Sequence, residues 1–122
     1  MVTLLPSPYQ VELFDALAAA GVDCHVIYLQ TTEPGRSWRL PSLGHAHTFL
    51  PQGLAEAEGV MRRADLVVFG GYQAPVVRRW LAERCRGGRR CALWGERPGF
   101  RRRGWLGQWG RAWRLRHFRR AR

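Results

Sequence analysis

Lysine is absent from this chain: all twenty basic residues among its 122 are arginine. Phosphate neutralisation accepts Lys as readily as Arg, so a nucleic-acid surface alone does not account for that exclusion. A compositional bias of the encoding genome accounts for it better. Cysteine is also scarce. Cys24, Cys85 and Cys91 are an odd number, with neither a CxxC pair nor zinc-ligand spacing. They suit a reducing compartment and read as buried or half-buried thiols. No apolar stretch approaches the ~20 residues of a membrane span. The opening MVTLLPSPYQ has neither the basic start nor the long apolar run of a signal peptide. A cytoplasmic protein is therefore expected. There is also no GxGxxG and no GxxxxGK[ST], which argues against a dinucleotide fingerprint or a P-loop.

What is present argues for one folded domain. Hydrophobic residues make up 46% and there are six tryptophans, which sets the chain apart from disordered ones. The net charge of +11 is unevenly spread. Up to Val77 there are four arginines against seven acids; from Arg78 onward there are sixteen arginines against Glu83 and Glu96. Such a basic C-terminal third needs a partner or a surface.

The pattern along the chain alternates. Val2–Leu5 is a short apolar strand. Ser7-Pro8-Tyr9-Gln10 is a helix start, with Ser7 as cap, Pro8 at the first helical position and Gln10 completing a capping box. Val11, Phe14, Leu17 and Ala18 follow at helical spacing until Gly21 ends the helix. His25–Leu29 is a buried-type strand, and 31–43 a polar loop holding Trp38 and Arg39. His45–Leu50 reads as a short strand and Leu54–Arg63 as a helix weakened by Gly59. Leu66–Phe69 is a strand, Gln73–Arg86 a helix closed by Gly87-Gly88, and Cys91–Trp94 the last clear strand. A helix from about Trp105 follows. Continuous apolar strands separated by helices predict an α/β fold. The expected architecture is a three-layer, Rossmann-like open parallel sheet, in the order 3-2-1-4-5, with helices on both faces.

In such sheets ligands sit beyond the carboxyl ends of the strands. That selects the loops Pro6–Gln10, 31–43, Gly70–Gln73 and 95–99. Gly70-Gly71-Tyr72 reads either as a turn needing small residues or positive φ, or as a ligand wall beside the free N–H groups of the next helix. With no Lys, Ser or Thr beside the glycines, it is not a triphosphate cradle. Glu96 in LWGERPG is either a carboxylate able to take a hydroxyl proton or a surface Glu neutralised by Arg97 or Arg101–Arg103. His45 and His47 share one face of a strand, but no further ligand follows at useful spacing, so no metal site is expected.

Taken together, PSPYQVELFDALAAAGVDCHVIYL, the Arg36-Ser37-Trp38-Arg39 loop, ADLVVFGGYQAP and ALWGERPG resemble the N-terminal domain of family 4-like glycosyltransferases of the GT-B fold. The ordered set covers essentially the whole chain. The resemblance implies an acceptor-holding domain, residues 1–122, that stops within WRLRHFRRAR before the donor-binding domain and its E-x7-E motif. It implies transfer of a sugar from a nucleotide-sugar to a hydroxyl, on a glycan or lipid-linked glycan, with no obligatory metal and no cofactor in this chain. Pro8, Tyr9, Arg39, Gly70, Gly71 and Tyr72 then line the acceptor side, and Glu96 stands nearest the family's N-domain catalytic position. Without a donor domain, no glycosyl transfer by the isolated chain is expected.

The basic third leaves two further readings open. Trp105, Leu106, Trp109, Ala112 and Trp113 fall on one helical arc, with Arg111 and Arg114 opposite and Arg101, Arg102 and Arg103 ahead. That pattern fits an interfacial helix at the inner face of an anionic membrane, or tryptophans packed on the sheet or on a further domain. A nucleic-acid module stacking bases on these tryptophans, and a Rossmann-like binding domain without transferase chemistry, are the alternatives.

Overall fold

A computed structural model describes residues 1–31, 42–71 and 73–95. In chain order the elements are β1 (Val2–Thr3), α1 (Pro8–Ala19), β2 (His25–Tyr28), β3 (Ala46–Phe49), α2 (Leu54–Arg63), β4 (Leu66–Phe69), α3 (Pro75–Arg86) and β5 (Arg90–Leu93). The five strands form one sheet in the order β3-β2-β1-β4-β5, every pair parallel. The fold is Rossmann-like α/β, in the strand order the alternation predicts.

Register sorts the side chains by face. Val2 lies opposite both Ile27 and Phe69, so these three share one face with Val67. There they pack on Ala57 and Met61 of α2 and on Val77, Trp80 and Leu81 of α3. Val26 and Tyr28 point to the other face and meet Phe14 of α1. Full burial of each such side chain contributes roughly 1.5–3 kcal/mol, which is what holds one helix on one face and two on the other.

Glycine ends two of the helices in the same way. Gly21 has φ +79° and Gly88 φ +64°. Val22 N–H donates to Leu17 O and Gly21 N–H to Ala18 O; Arg89 N–H to Arg84 O and Gly88 N–H to Cys85 O repeat the arrangement. These paired bonds satisfy the last carbonyls of each helix and need a left-handed residue between them.

The start of the chain departs from expectation at two points. β1 spans two residues rather than four. Gln30 N–H still donates to Leu4 O, but β4 has ended at Phe69 and turns away, so Leu4 is left 46% exposed. Ser7 has the extended backbone of a cap yet makes no side-chain capping bond, and its hydroxyl is buried without a partner. The capping box with Gln10 does not form, so Pro8 is the helix-start device in place.

Arg84 is the least expected core residue. It lies on α3, only 4% exposed, and donates to Met61 O (2.7 Å), Ala64 O (2.9 Å), Asp65 O (3.2 Å) and Arg90 O (2.9 Å). Met61 belongs to the last turn of α2, whose free carbonyls carry partial negative charge. One guanidinium thus joins the end of α2, the start of β4 and the start of β5. Burial lowers its pKa from the usual arginine value.

Candidate functional site

Each βα loop of a parallel sheet emerges at the carboxyl edge, so topology decides which loops meet. β1 and β4 are neighbours, while α1 and α3, which follow them, pack on opposite faces. The order in which strands are added reverses between these two parallel strands, and the helices part there to leave a crevice. The loop entering α1 lies on one side of it and Gly70-Gly71 on the other. Pro8-Tyr9 and Gly70-Gly71, far apart in sequence, therefore share this edge.

Tyr9 stands in the first turn of α1 and is 64% exposed. The first intrahelical donor of α1 is Val11 N–H, to Ser7 O, so the N–H groups of Tyr9 and Gln10 are without helical partners. In α3, Arg78 N–H is bonded to Ala74 O, and Pro75 has no N–H to give. Gly70 is explained by crowding rather than by positive φ. A β-carbon there meets Val2 O at 3.1 Å and Thr3 Oγ1 at 3.3 Å, whereas one at Gly71 meets nothing within 4 Å.

The described loops at this edge (residues 4–7, 29–31, 50–53, 70–71, 73–74 and 94–95) contain no charged residue. Their polar groups are those of Ser7, Gln30, Thr31, Gln52, Gln73, the Trp94 indole and the backbone. Loops at the opposite edge carry Asp23, Asp65 and Arg89. Among the described residues the edge thus offers neutral hydrogen-bonding groups and no cation. Arg39, Tyr72, Glu96, Arg101, Arg102, Arg103, Trp105, Trp109 and Trp113 lie outside the described residues.

A broad hollow among the described residues lies elsewhere. A cleft of about 570 Å³ runs beside α1 and along β4, with Met1, Leu17, Cys24, Leu66, Val68 and Trp94 among its walls. Leu66 and Trp94 are 47% and 55% exposed. This cleft follows the sheet face and the amino edge, and reaches the carboxyl-edge loops at Trp94.

The two histidines do not form a site. They share a face as expected, with ring centroids 5.9 Å apart. His45 is buried, and its Nδ1 lies 2.6 Å from Asp15 Oδ1 while its Nε2 lies 2.9 Å from the Tyr28 hydroxyl. A carboxylate only accepts, so Nδ1 carries a proton, and Nε2 is hydrogen-bonded to the Tyr28 hydroxyl. Both nitrogens are spoken for. The Nδ1 of His47 donates to His45 O at 3.0 Å, and the described residues contain no group of three or more metal-type ligands.

Asp15 also accepts from Gly44 N–H at 2.9 Å. The hydrogen bond from His45, followed by that from Gly44, holds its carboxyl below the usual range. Burial pushes the Tyr28 phenol well above its ordinary value. The Asp–His–Tyr order resembles a catalytic relay, but Tyr28 has no exposed surface and meets no substrate. The chain of bonds ties α1 to β2 and to the segment entering β3. Sequence reasoning missed it; the available signal was a tyrosine hydroxyl and a histidine on strands that had to be buried, each requiring a partner.

No protein-family model, no curated protein and no solved structure matches this chain. Among the described residues, no helix is long and apolar enough to cross a membrane.

Proposed function

We propose that this chain is the acceptor-binding half of a glycosyltransferase acting on a neutral, hydroxyl-rich acceptor. One observation supports it most: the crevice between β1 and β4 opens onto an edge whose described loops bear hydroxyls, amides and an exposed tyrosine but no charge. A sugar ring offers hydroxyls to amide and hydroxyl partners and an apolar face to an aromatic ring. Pro8-Tyr9 and Gly70-Gly71 form the walls, with Tyr72 and Arg39 as their proposed companions.

In the proposed reaction an acceptor hydroxyl attacks the anomeric carbon of a nucleotide-sugar. The new bond joins acceptor oxygen to sugar carbon, the bond from that carbon to the phosphate oxygen breaks, and Glu96 takes the hydroxyl proton. Positioning of the donor is proposed to fall to a second domain, since the described loops of this edge carry no cation for its phosphates. Arg101–Arg103 with Trp105, Trp109 and Trp113 are proposed to bring the enzyme to an anionic membrane carrying a lipid-linked acceptor.

The test is saturation-transfer NMR on the 122-residue chain with maltose and, separately, with UDP. Transfer to maltose that falls in Tyr9→Ala, with none to UDP, supports the reading. Transfer to UDP alone favours a nucleotide-binding Rossmann-like domain instead.

A further inference from the structure

Cys85 sits near the end of α3, on the stripe that also carries Val77 and Leu81, and packs against the first core cluster. Cys91 is the second residue of β5 and packs against the same cluster. Their sulfurs are 3.7 Å apart. Both side chains are half-buried free thiols, so a small reagent can reach them. Between them Gly87 and Gly88 reverse the chain, with Gly88 left-handed and Arg89 N–H bonded back to Arg84 O. Cys24, the third thiol, packs against the other cluster, on the α1 side of the sheet.

We propose that Cys85 and Cys91 are a redox-responsive dithiol, converted by a small-molecule disulfide into an intrachain bond that joins α3 to β5. A disulfide needs sulfurs at about 2.05 Å, so the two must close by roughly 1.7 Å from 3.7 Å. Burial, with the hydrogen bond to Cys91, pushes the Cys85 thiol up to about 11. Either thiol, once ionised, makes the first attack.

The steps balance with glutathione disulfide as oxidant. The thiolate of one cysteine attacks one glutathione sulfur, forming a mixed disulfide and expelling one glutathione thiolate. The other cysteine then loses its proton to solvent and its sulfur attacks the first cysteine's Sγ, expelling the second glutathione. Two cysteine thiols are oxidised and one disulfide is reduced to two glutathione thiols. The preset distance makes the second step intramolecular and favours it over reaction with another protein chain.

The experiment incubates the full chain, and its Cys24→Ser variant, with glutathione disulfide at neutral pH. Intact mass is measured after quenching, and the tryptic peptides carrying Cys85 and Cys91 are examined. The expected product of both proteins is a monomer with a linked Cys85–Cys91 peptide. The Cys24→Ser variant loses two hydrogens in mass and has no free thiol. Closing so short a loop raises Tm by roughly 5 °C, and dithiothreitol reverses the rise. In Cys91→Ser the link and the Tm rise are lost. A glutathione adduct that persists on either residue, a covalent dimer, or two thiols left free after prolonged exposure overturns the proposal. Peptide mapping of the wild-type chain decides the matter even where Cys24→Ser fails to fold.

Discussion

Gly70 donates its backbone N–H to the Val2 carbonyl at 2.6 Å, and a methyl group on Gly70 would stand 3.1 Å from that same oxygen. The contact seals β1 to β4 at the point where the proposed binding crevice begins. Gly70→Ala forces the two strands apart by a few tenths of an ångström and should cost about 1–2 kcal/mol of stability. Gly71→Ala meets open space at a residue without positive φ and should be neutral within about 0.5 kcal/mol. Urea denaturation of both variants checks this. Equal losses would show that backbone freedom, and not crowding, selects glycine here.

The Asp15–His45–Tyr28 chain gives a pH signature. The folded-state pKa of Asp15 is depressed, so its contribution is fully present above the unfolded value, about 3.9. It is lost as pH falls through the lower folded value. Wild type should lose stability faster than Asp15→Asn over that acid window. Tyr28→Phe leaves His45 Nε2 buried without its hydrogen-bond partner and should cost about 1–3 kcal/mol at neutral pH. Urea titrations from neutral pH into acid decide it; acid limbs that coincide would show that Asp15 is not ionised in the folded chain.

Arg84 makes a sharper stability prediction. Its removal leaves four carbonyls at the junction of α2, β4 and β5 without their donor. Arg84→Met should destabilise by about 3 kcal/mol, and Arg84→Lys by less, because an ammonium reaches only some of the four oxygens. A Met variant within about 1 kcal/mol of wild type would mean that desolvation of the guanidinium cancels its hydrogen bonds.

Membrane contact by the basic third is tested by co-sedimentation with vesicles containing phosphatidylserine. At low salt the wild-type chain should pellet, and a Trp105→Ala/Trp109→Ala pair should pellet several-fold less. If neither binds, the arginines are a solvated surface and the proposed membrane role is wrong.

Much of the fold was legible because its signals are local. The apolar run Leu66–Phe69 and the helix Leu54–Arg63 have the bounds the sequence implies, and Gly21 and Gly88 mark helix ends that demand positive φ. The strand order followed from the alternation of elements and general rules of connection. What escaped notice depends on contacts between distant parts of the chain. Asp15, Tyr28 and His45 are joined only once α1 lies on β2 and β3. Arg84 is one of the sixteen arginines of the basic C-terminal third, and nothing in its local pattern marks it as the core staple it is. Ser7 and Gln10 have the right spacing for a capping box, but spacing does not dictate where a buried hydroxyl points. Of the candidate site, topology brings Pro8-Tyr9 and Gly70-Gly71 to one edge; Arg39, Tyr72 and Glu96 lie outside the described residues.

The central claim is that a saccharide binds at the carboxyl edge between β1 and β4. Amide chemical-shift mapping of ¹⁵N-labelled chain with maltose tests it most directly. The account predicts perturbations concentrated at Tyr9, Gln10, Gly70 and Gly71, weakened by Tyr9→Ala. Perturbations centred instead on Cys24, Leu66 and Val68, in the large cleft beside α1, or none at millimolar maltose, would contradict it.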